Sequence, residues 1–234
     1  MAIKGILGRK VGMTQIFLDG GECKAVTAIE TGPCVVVQVK TPATDGYHAL
    51  QLAFDPVKAK SLNKPRLGGF EKNGLKPHRF VKEVDWDGKN EVKPGDAVTV
   101  EVFDGVQFVD VVSRTKGRGF AGVVRRWSFA GGPKTHGQSD RERAPGSLGR
   151  QGSVTRDVIK NKRMGGHYGN ERMTAKNLEL VRVLKDQHVI LVHGPVPGPA
   201  GAYVLVRPSP KVRKAPAEVK AKGKGKAAAP EKKK

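Results

Sequence analysis

Between residues 113 and 174 the chain abandons every pattern from which a core is built. The run "GFAGVVRRWSFAGGPKTHGQSDRERAPGSLGRQGS" (119–153) opens with a plausible amphipathic turn. After that its apolar residues recur at neither two nor 3.6 positions. Segment 113–174 holds 12 glycines and only four aromatics, Phe120, Trp127, Phe129 and Tyr168. So little apolar surface does not offset the entropy lost on ordering such a length of chain. Strand-like sequence precedes the segment and resumes at 178, so it is an insertion into a folded body. Either it is disordered, or something outside the protein orders it.

The charge says what that could be. Of the chain's net +21, segment 113–174 carries 14 Lys and Arg against 4 Asp and Glu, a net of +10. The tail 208–234 carries 10 against 2, a net of +8, which leaves +3 for everything else. A nearly neutral body with two basic attachments calls for a polyanionic partner. A membrane surface would need an apolar span or a basic amphipathic helix, and the sequence shows neither. Nor does MAIKGILGRKVGMTQ read as a secretory signal, and the use of only two cysteines makes the cytosol the expected compartment. Arginine outnumbers lysine 10 to 4 in the insertion, whereas lysine outnumbers arginine 9 to 1 in the tail. Planar guanidinium forks suit fixed contacts to phosphate and base; lysine-rich low-complexity sequence suits loose attraction and disorder in the free chain. No helix-turn-helix, zinc-finger or basic-zipper pattern points to DNA. A long insertion that folds on its target suits RNA, whose shape and phosphate geometry are read together.

The body reads as β. "ECKAVTAIET" (22–31), "CVVVQVKT" (34–41) and "YHALQLAF" (47–54) are strand-length runs rich in Val, Ile and Thr, separated by Gly32-Pro33 and Asp45-Gly46. "AVTVEVF" (97–103) and "VQFVDVVS" (106–113) alternate around Asp104-Gly105 and predict a hairpin. "LELVRVL" (178–184) and "HVILVHG" (188–194) predict another, and "AYVLVRP" (202–208) a last strand. The expected fold is therefore mainly β, a small closed or nearly closed barrel. A long irregular basic extension is inserted between its strands, and a disordered basic tail follows. By position, the body is 1–112 with 175–207, the extension is 113–174 and the tail is 208–234. Residues 56–79 form an inserted segment with a possible short helix. Cys23 and Cys34 form no CxxC pair and sit in alternating apolar runs, which predicts two packed thiols and no metal.

Catalysis finds little support. The insertion offers His136, Ser139, Asp140, Glu142 and His167, but no HExxH, CxxC or GxSxG pattern accompanies them. "GRGFAG" (117–122) lacks the GK[ST] ending of a phosphate loop. An RNA-processing or RNA-modifying enzyme using His136 and nearby acids is the alternative reading, and a DNA-architectural protein is a second.

The blocks "GRKVGMTQIF" (8–17), "GPCVVVQVKT" (32–41), "DGYHALQLAF" (45–54) and "SRTKGRGFAGVVRRWSF" (113–129) resemble the large-subunit ribosomal protein L-three family, bacterial type, in order. "HGQSDRERAPGSLG" (136–149), "KRMGGHYGNERMTAKNLELVRV" (162–183) and "ILVHGPVPGPAGAYVLVRP" (190–208) continue the resemblance, which covers residues 1–208. It implies a barrel like that of elongation factors, and a non-enzymatic cytoplasmic ribosomal protein without cofactor or small-molecule substrate. The partners it implies are large-subunit rRNA, bound directly and early in assembly, and neighbouring large-subunit proteins. The extension would run toward the peptidyl-transferase centre. Carried over position by position, the rRNA-facing residues are Lys116, Arg118, Arg125, Arg126, Trp127, His136, Arg143, Ser147, Arg150, Lys162, Arg163, His167, Asn170 and Arg172. Trp127 could stack on a base or pack the extension's own stem. Some members carry a methylated glutamine at the extension tip. Here that position aligns with Gly152, the nearest glutamine is Gln151, and the expectation is that it is unmodified.

Overall fold

The first strand, β1 (Ile6–Phe17), is a 12-residue run with no sequence alternation. The reason is a bulge. Lys10 pairs with Ile29 and Gly12 with Ala28, so Val11 is one residue too many and the inward-outward phase flips in mid-strand. Gly8 is required for a different reason: a Cβ there would lie 2.4 Å from the Glu30 carbonyl oxygen of the neighbouring strand. In this computed structural model, residues 3–18, 20–88, 91–149 and 158–210 are described.

Among the described residues eleven further strands follow, β2 (Cys23–Thr31), β3 (Cys34–Lys40), β4 (Ala49–Pro56), β5 (His78–Asp85), β6 (Ala97–Val98), β7 (Phe108–Arg114), β8 (Phe120–Ala121), β9 (Gly166–His167), β10 (Arg172–Leu184), β11 (Val189–His193) and β12 (Tyr203–Pro208). The described residues also hold helices α1 (Lys64–Glu71) and α2 (Val123–Trp127), with 3₁₀ turns at Ala59–Ser61 and Val100–Phe103. Six strands close into a barrel in the order β1-β12-β7-β10-β11-β2, and four more form a separate sheet, β5-β4-β3-β6. The two share one core. Ile6, Val109, Ile190 and Val204 from the barrel join Val36, Leu50, Leu52 and Val98 from the sheet in a single buried cluster. On the sheet, Phe70 of α1 packs with Val37 and Ala53, so the 56–79 segment does hold its short helix.

The closed barrel and the 178–194 hairpin match the sequence reading. The 97–113 hairpin does not. Its second arm is β7, but in its first arm only Ala97–Val98 is a strand, and it pairs with β3, while Val100–Phe103 turns through one 3₁₀ segment. Asp104 (φ −60°, ψ 125°) and Gly105 (φ 78°) make a type II turn, closed by the Val106 N–H on the Phe103 carbonyl at 3.0 Å. The apolar residues that looked like strand alternation bury Val100 and Phe103 where the chain crosses from the sheet to the barrel. Other expectations shift as well. Cys34 is buried and its thiol is pushed up to about 12 by burial, but Cys23 is exposed. The tail was expected to begin at 208, yet Pro208 pairs with Val109 and the Ser209 N–H reaches the Phe108 carbonyl at 3.0 Å. The rest of the tail, 211–234, lies outside the described residues.

Candidate nucleic-acid interface

The extension leaves the barrel as a continuation of two of its strands. Arg114 at the end of β7 pairs with Arg172 at the start of β10. Past that pair the chains stay joined by Thr115 N–H to the Glu171 carbonyl (2.9 Å), Arg118 N–H to Tyr168 (2.8 Å) and Tyr168 N–H to Gly119 (2.9 Å). Phe120 then pairs with His167 and Ala121 with Gly166. The fit is tight enough to need glycine: at Gly169 φ is +76°, and a Cβ would stand 2.1 Å from the Lys116 carbonyl oxygen. The extension thus begins with a β-paired neck and a short helix, α2 (Val123–Trp127), where the sequence showed a plausible amphipathic turn.

Helix α2 follows β8 and stops at Ser128, which takes the left-handed conformation (φ 59°). The Trp127 indole N–H donates to the Met164 carbonyl at 2.9 Å, and an Arg126 guanidinium nitrogen donates to the same oxygen at 3.2 Å. The guanidinium carbons of Arg126 and Arg163 lie 5.0 and 5.1 Å from the Trp127 ring centroid. Half-buried Trp127 therefore ties the outgoing helix to the returning chain. Of the two roles the sequence left open, this contact set supports packing of the extension's own stem. Arg118 lies over Tyr168 at 5.1 Å, and Phe120 meets His167 edge-on at 6.0 Å.

Beyond the stem the chain folds back on itself where the Gly132 N–H meets the Glu142 carbonyl at 2.9 Å. His136, Arg143 and Ser147 are exposed on this distal part. Lys116, Arg118, His167, Asn170 and Arg172 are exposed on the neck, exposed Arg125 and half-buried Arg126 lie on α2, and Lys162 and Arg163 lie on the return. The expected contacts thus follow the extension from neck to distal turn. Arg150 and Gln151 lie outside the described residues. For the enzymatic alternative, Ser139 donates to Asp140 at 3.4 Å, but among the described residues no hydrogen bond joins His136 to either.

None of the ion pairs among the described residues involves a residue of the extension; they all lie in the body. Beside the neck, buried Lys10 donates from Nζ to the carbonyls of Val196 (2.7 Å) and Gly198 (3.2 Å), which clamps the 194–202 loop against the base of the extension. Burial, and then the charge of Lys116, holds this ammonium below its usual range. Arg114 escaped the sequence reading. Only the β7–β10 register, which sets it opposite Arg172, reveals two like charges side by side.

A model of the family described as Ribosomal protein L3 matches residues 57–188. The chain is 50% identical over 212 residues to the large ribosomal subunit protein uL3 of Herpetosiphon aurantiacus, covering 91% of this chain and 99% of that protein. The uL3 of Pelotomaculum thermopropionicum is 48% identical over 210 residues, 90% of this chain and 99% of that one. The uL3 of Thermotoga maritima is 45% identical over 212 residues, 91% and 100% of the two chains.

Proposed function

The chain belongs to the ribosomal protein L3 family, a structural and non-enzymatic constituent of the large ribosomal subunit in the cytoplasm, and from that premise we propose that it binds large-subunit rRNA directly and early in assembly. In this reading the body, 1–112 with 175–207, anchors the protein on the subunit. The extension 113–174 penetrates the rRNA toward the peptidyl-transferase centre, and the tail adds non-specific attraction. Neighbouring large-subunit proteins pack on the body.

One observation carries this reading. The extension's cations have no carboxylate partners among the described residues, and three of its guanidiniums lie over its own aromatic rings. Guanidiniums that lie over rings and meet no carboxylate keep N–H donors for a phosphate or a base, although Arg126 spends one on the Met164 carbonyl. A protein that folded for itself alone would pair so dense a set of arginines with acids.

The test is crosslinking with nucleotide mapping on purified large subunits. Crosslinks should concentrate on 113–174 and fall on nucleotides near the peptidyl-transferase centre. Alongside it, Arg126→Ala and Arg150→Ala should slow subunit assembly, read by sedimentation, more than removal of 211–234 does. Crosslinks confined to the body or the tail, or the reverse ranking of variants, would overturn the proposal.

A further inference from the structure

We infer that the cleft between β5 and the neck is a second RNA site, built to hold a short single-stranded segment by its phosphates and one base; this rests on the rRNA-binding reading and extends it from the extension onto the body. The cleft has a volume of about 980 Å³. One wall is Phe80–Glu83 of β5; the other is β7 with its continuation to Gly117, together with Arg172 of β10. Tyr203 and Leu205 of β12 also line it.

Its charges are arranged against the protein's own interest. Arg114 and Arg172 are directly opposed in an antiparallel ladder and both line the cleft. Side chains so placed stand about 4.5–5.5 Å apart at Cβ, and like charges there repel. Lys116 joins them, and Lys82 enters from the facing strand. None of these four cations has a carboxylate partner among the described residues. Among the described lining residues the sole acid, Glu83, is already held by Lys40 at 2.9 Å and by the Tyr47 hydroxyl at 3.0 Å. An anion entering between the walls relieves this repulsion.

The wall beside the cations is aromatic. Phe80 stacks on Tyr203 with ring centroids 4.7 Å apart and planes 9° from parallel. The Tyr203 hydroxyl donates to Asp55 at 2.5 Å, which fixes the ring. The two rings spend their facing sides on each other, so a base would stack on an outer face of the pair beside the cationic groove. Single-stranded RNA binds in this way, one phosphate per nucleotide with a base against a ring. A protein strand could instead add to β5, which is an edge strand. It would have to bring several carboxylates in the right register, whereas RNA carries its charge at every residue. The charge pattern favours RNA.

The test uses the full chain with a fluorescent octauridylate and, separately, large-subunit rRNA. Lys82 is exposed on β5, so Lys82→Glu should keep the thermal transition of the parent. It should weaken octauridylate binding about tenfold and lower the log–log salt slope by about 0.7, the loss of one single-strand phosphate contact. Ultraviolet crosslinks to the octamer should map to peptides containing Phe80 or Tyr203, and Phe80→Leu should reduce them. Unchanged affinity in Lys82→Glu with crosslinks elsewhere would overturn the cleft site, and retained binding of large-subunit rRNA in that case would leave the broader reading standing. Loss of both activities in the parent chain would overturn both. A lysine-specific crosslink from Lys82 to a neighbouring protein in purified subunits, with octamer affinity unchanged, would assign the cleft to an added strand and overturn the RNA proposal.

Discussion

The body and the extension treat the same residue types in opposite ways. In the body, Arg9 meets Glu30 at 2.8 Å, Lys24 meets Glu179 at 2.9 Å, and Lys40 meets both Glu83 and the Tyr47 hydroxyl. In the extension, Arg118, Arg126 and Arg163 lie over Tyr168 and Trp127 instead, and among its described residues only Ala121 and Val123 are buried apolar side chains. Exposed ion pairs add little stability, commonly less than about 1 kcal/mol each. Their presence in the body and absence from the extension's described residues therefore says less about strength than about destination. One region neutralises itself, and the other is left to be neutralised.

The strongest way to break the contrast is to attack each region through an aromatic side chain. Phe103, 1% exposed, lies in the core where the sheet meets the barrel. Phe103→Ala should cost about 3–5 kcal/mol in urea denaturation, the range for losing a buried aromatic. Phe120, 76% exposed on the neck, should cost no more than about 0.5 kcal/mol when replaced by alanine. Similar losses at both positions would mean that the neck is part of the core.

A smaller, local effect sharpens the boundary. Gly169→Ala forces a Cβ to within 2.1 Å of the Lys116 carbonyl at a φ of +76°, so the neck must open to admit it. The expected cost is about 1–3 kcal/mol, borne locally. Hydrogen exchange should accelerate at the Arg118 and Tyr168 amides, which bridge the neck, and stay unchanged at Val111 inside the barrel. Equal acceleration at Val111 would show the two regions opening as one unit.

The same contrast explains what could be seen without coordinates. Strands β2, β3, β4, β11 and β12 were legible because each keeps a strand-like run of Val, Ile and Leu between turn residues. β1 was hidden by its bulge at Val11, which breaks the alternation on which recognition depends. β5 was hidden because it is an edge strand, and Arg79, Lys82, Glu83 and Asp85 are the charges by which edges avoid unwanted pairing. That concealment also hid that β3 and β4 belong to a separate sheet, and with it one wall of the cleft. On the extension, charge counting located the candidate interface and the family resemblance assigned its residues. What neither could supply was register. The opposition of Arg114 and Arg172, and the docking of Trp127 on the Met164 carbonyl, exist only once two distant segments are set side by side.

The smallest effect tests whether the body's ion pairs matter at all. The hydrogen bond from Lys40, more than any other influence, holds the Glu83 carboxyl below its ordinary value of 4.5. A carboxyl depressed in the folded state contributes stability that is complete above its unfolded value and disappears as pH falls through the folded one. The parent chain should therefore lose stability as pH drops below about 4.5, and Glu83→Gln should lose less over that window. Glu83 is 41% exposed, so screening keeps the difference below about 1 kcal/mol. Urea midpoints measured from pH 6 to pH 3 would show it as two curves that converge in acid. Deleting residues 130–160 should leave this convergence intact, because Lys40, Tyr47 and Glu83 all lie on the body's second sheet or the loop between its strands. Parallel curves would mean that the network adds nothing to the body. Convergence lost on deletion would mean that the extension reaches back into the body's electrostatics, and the division between a self-neutralised body and a partner-neutralised extension would fail.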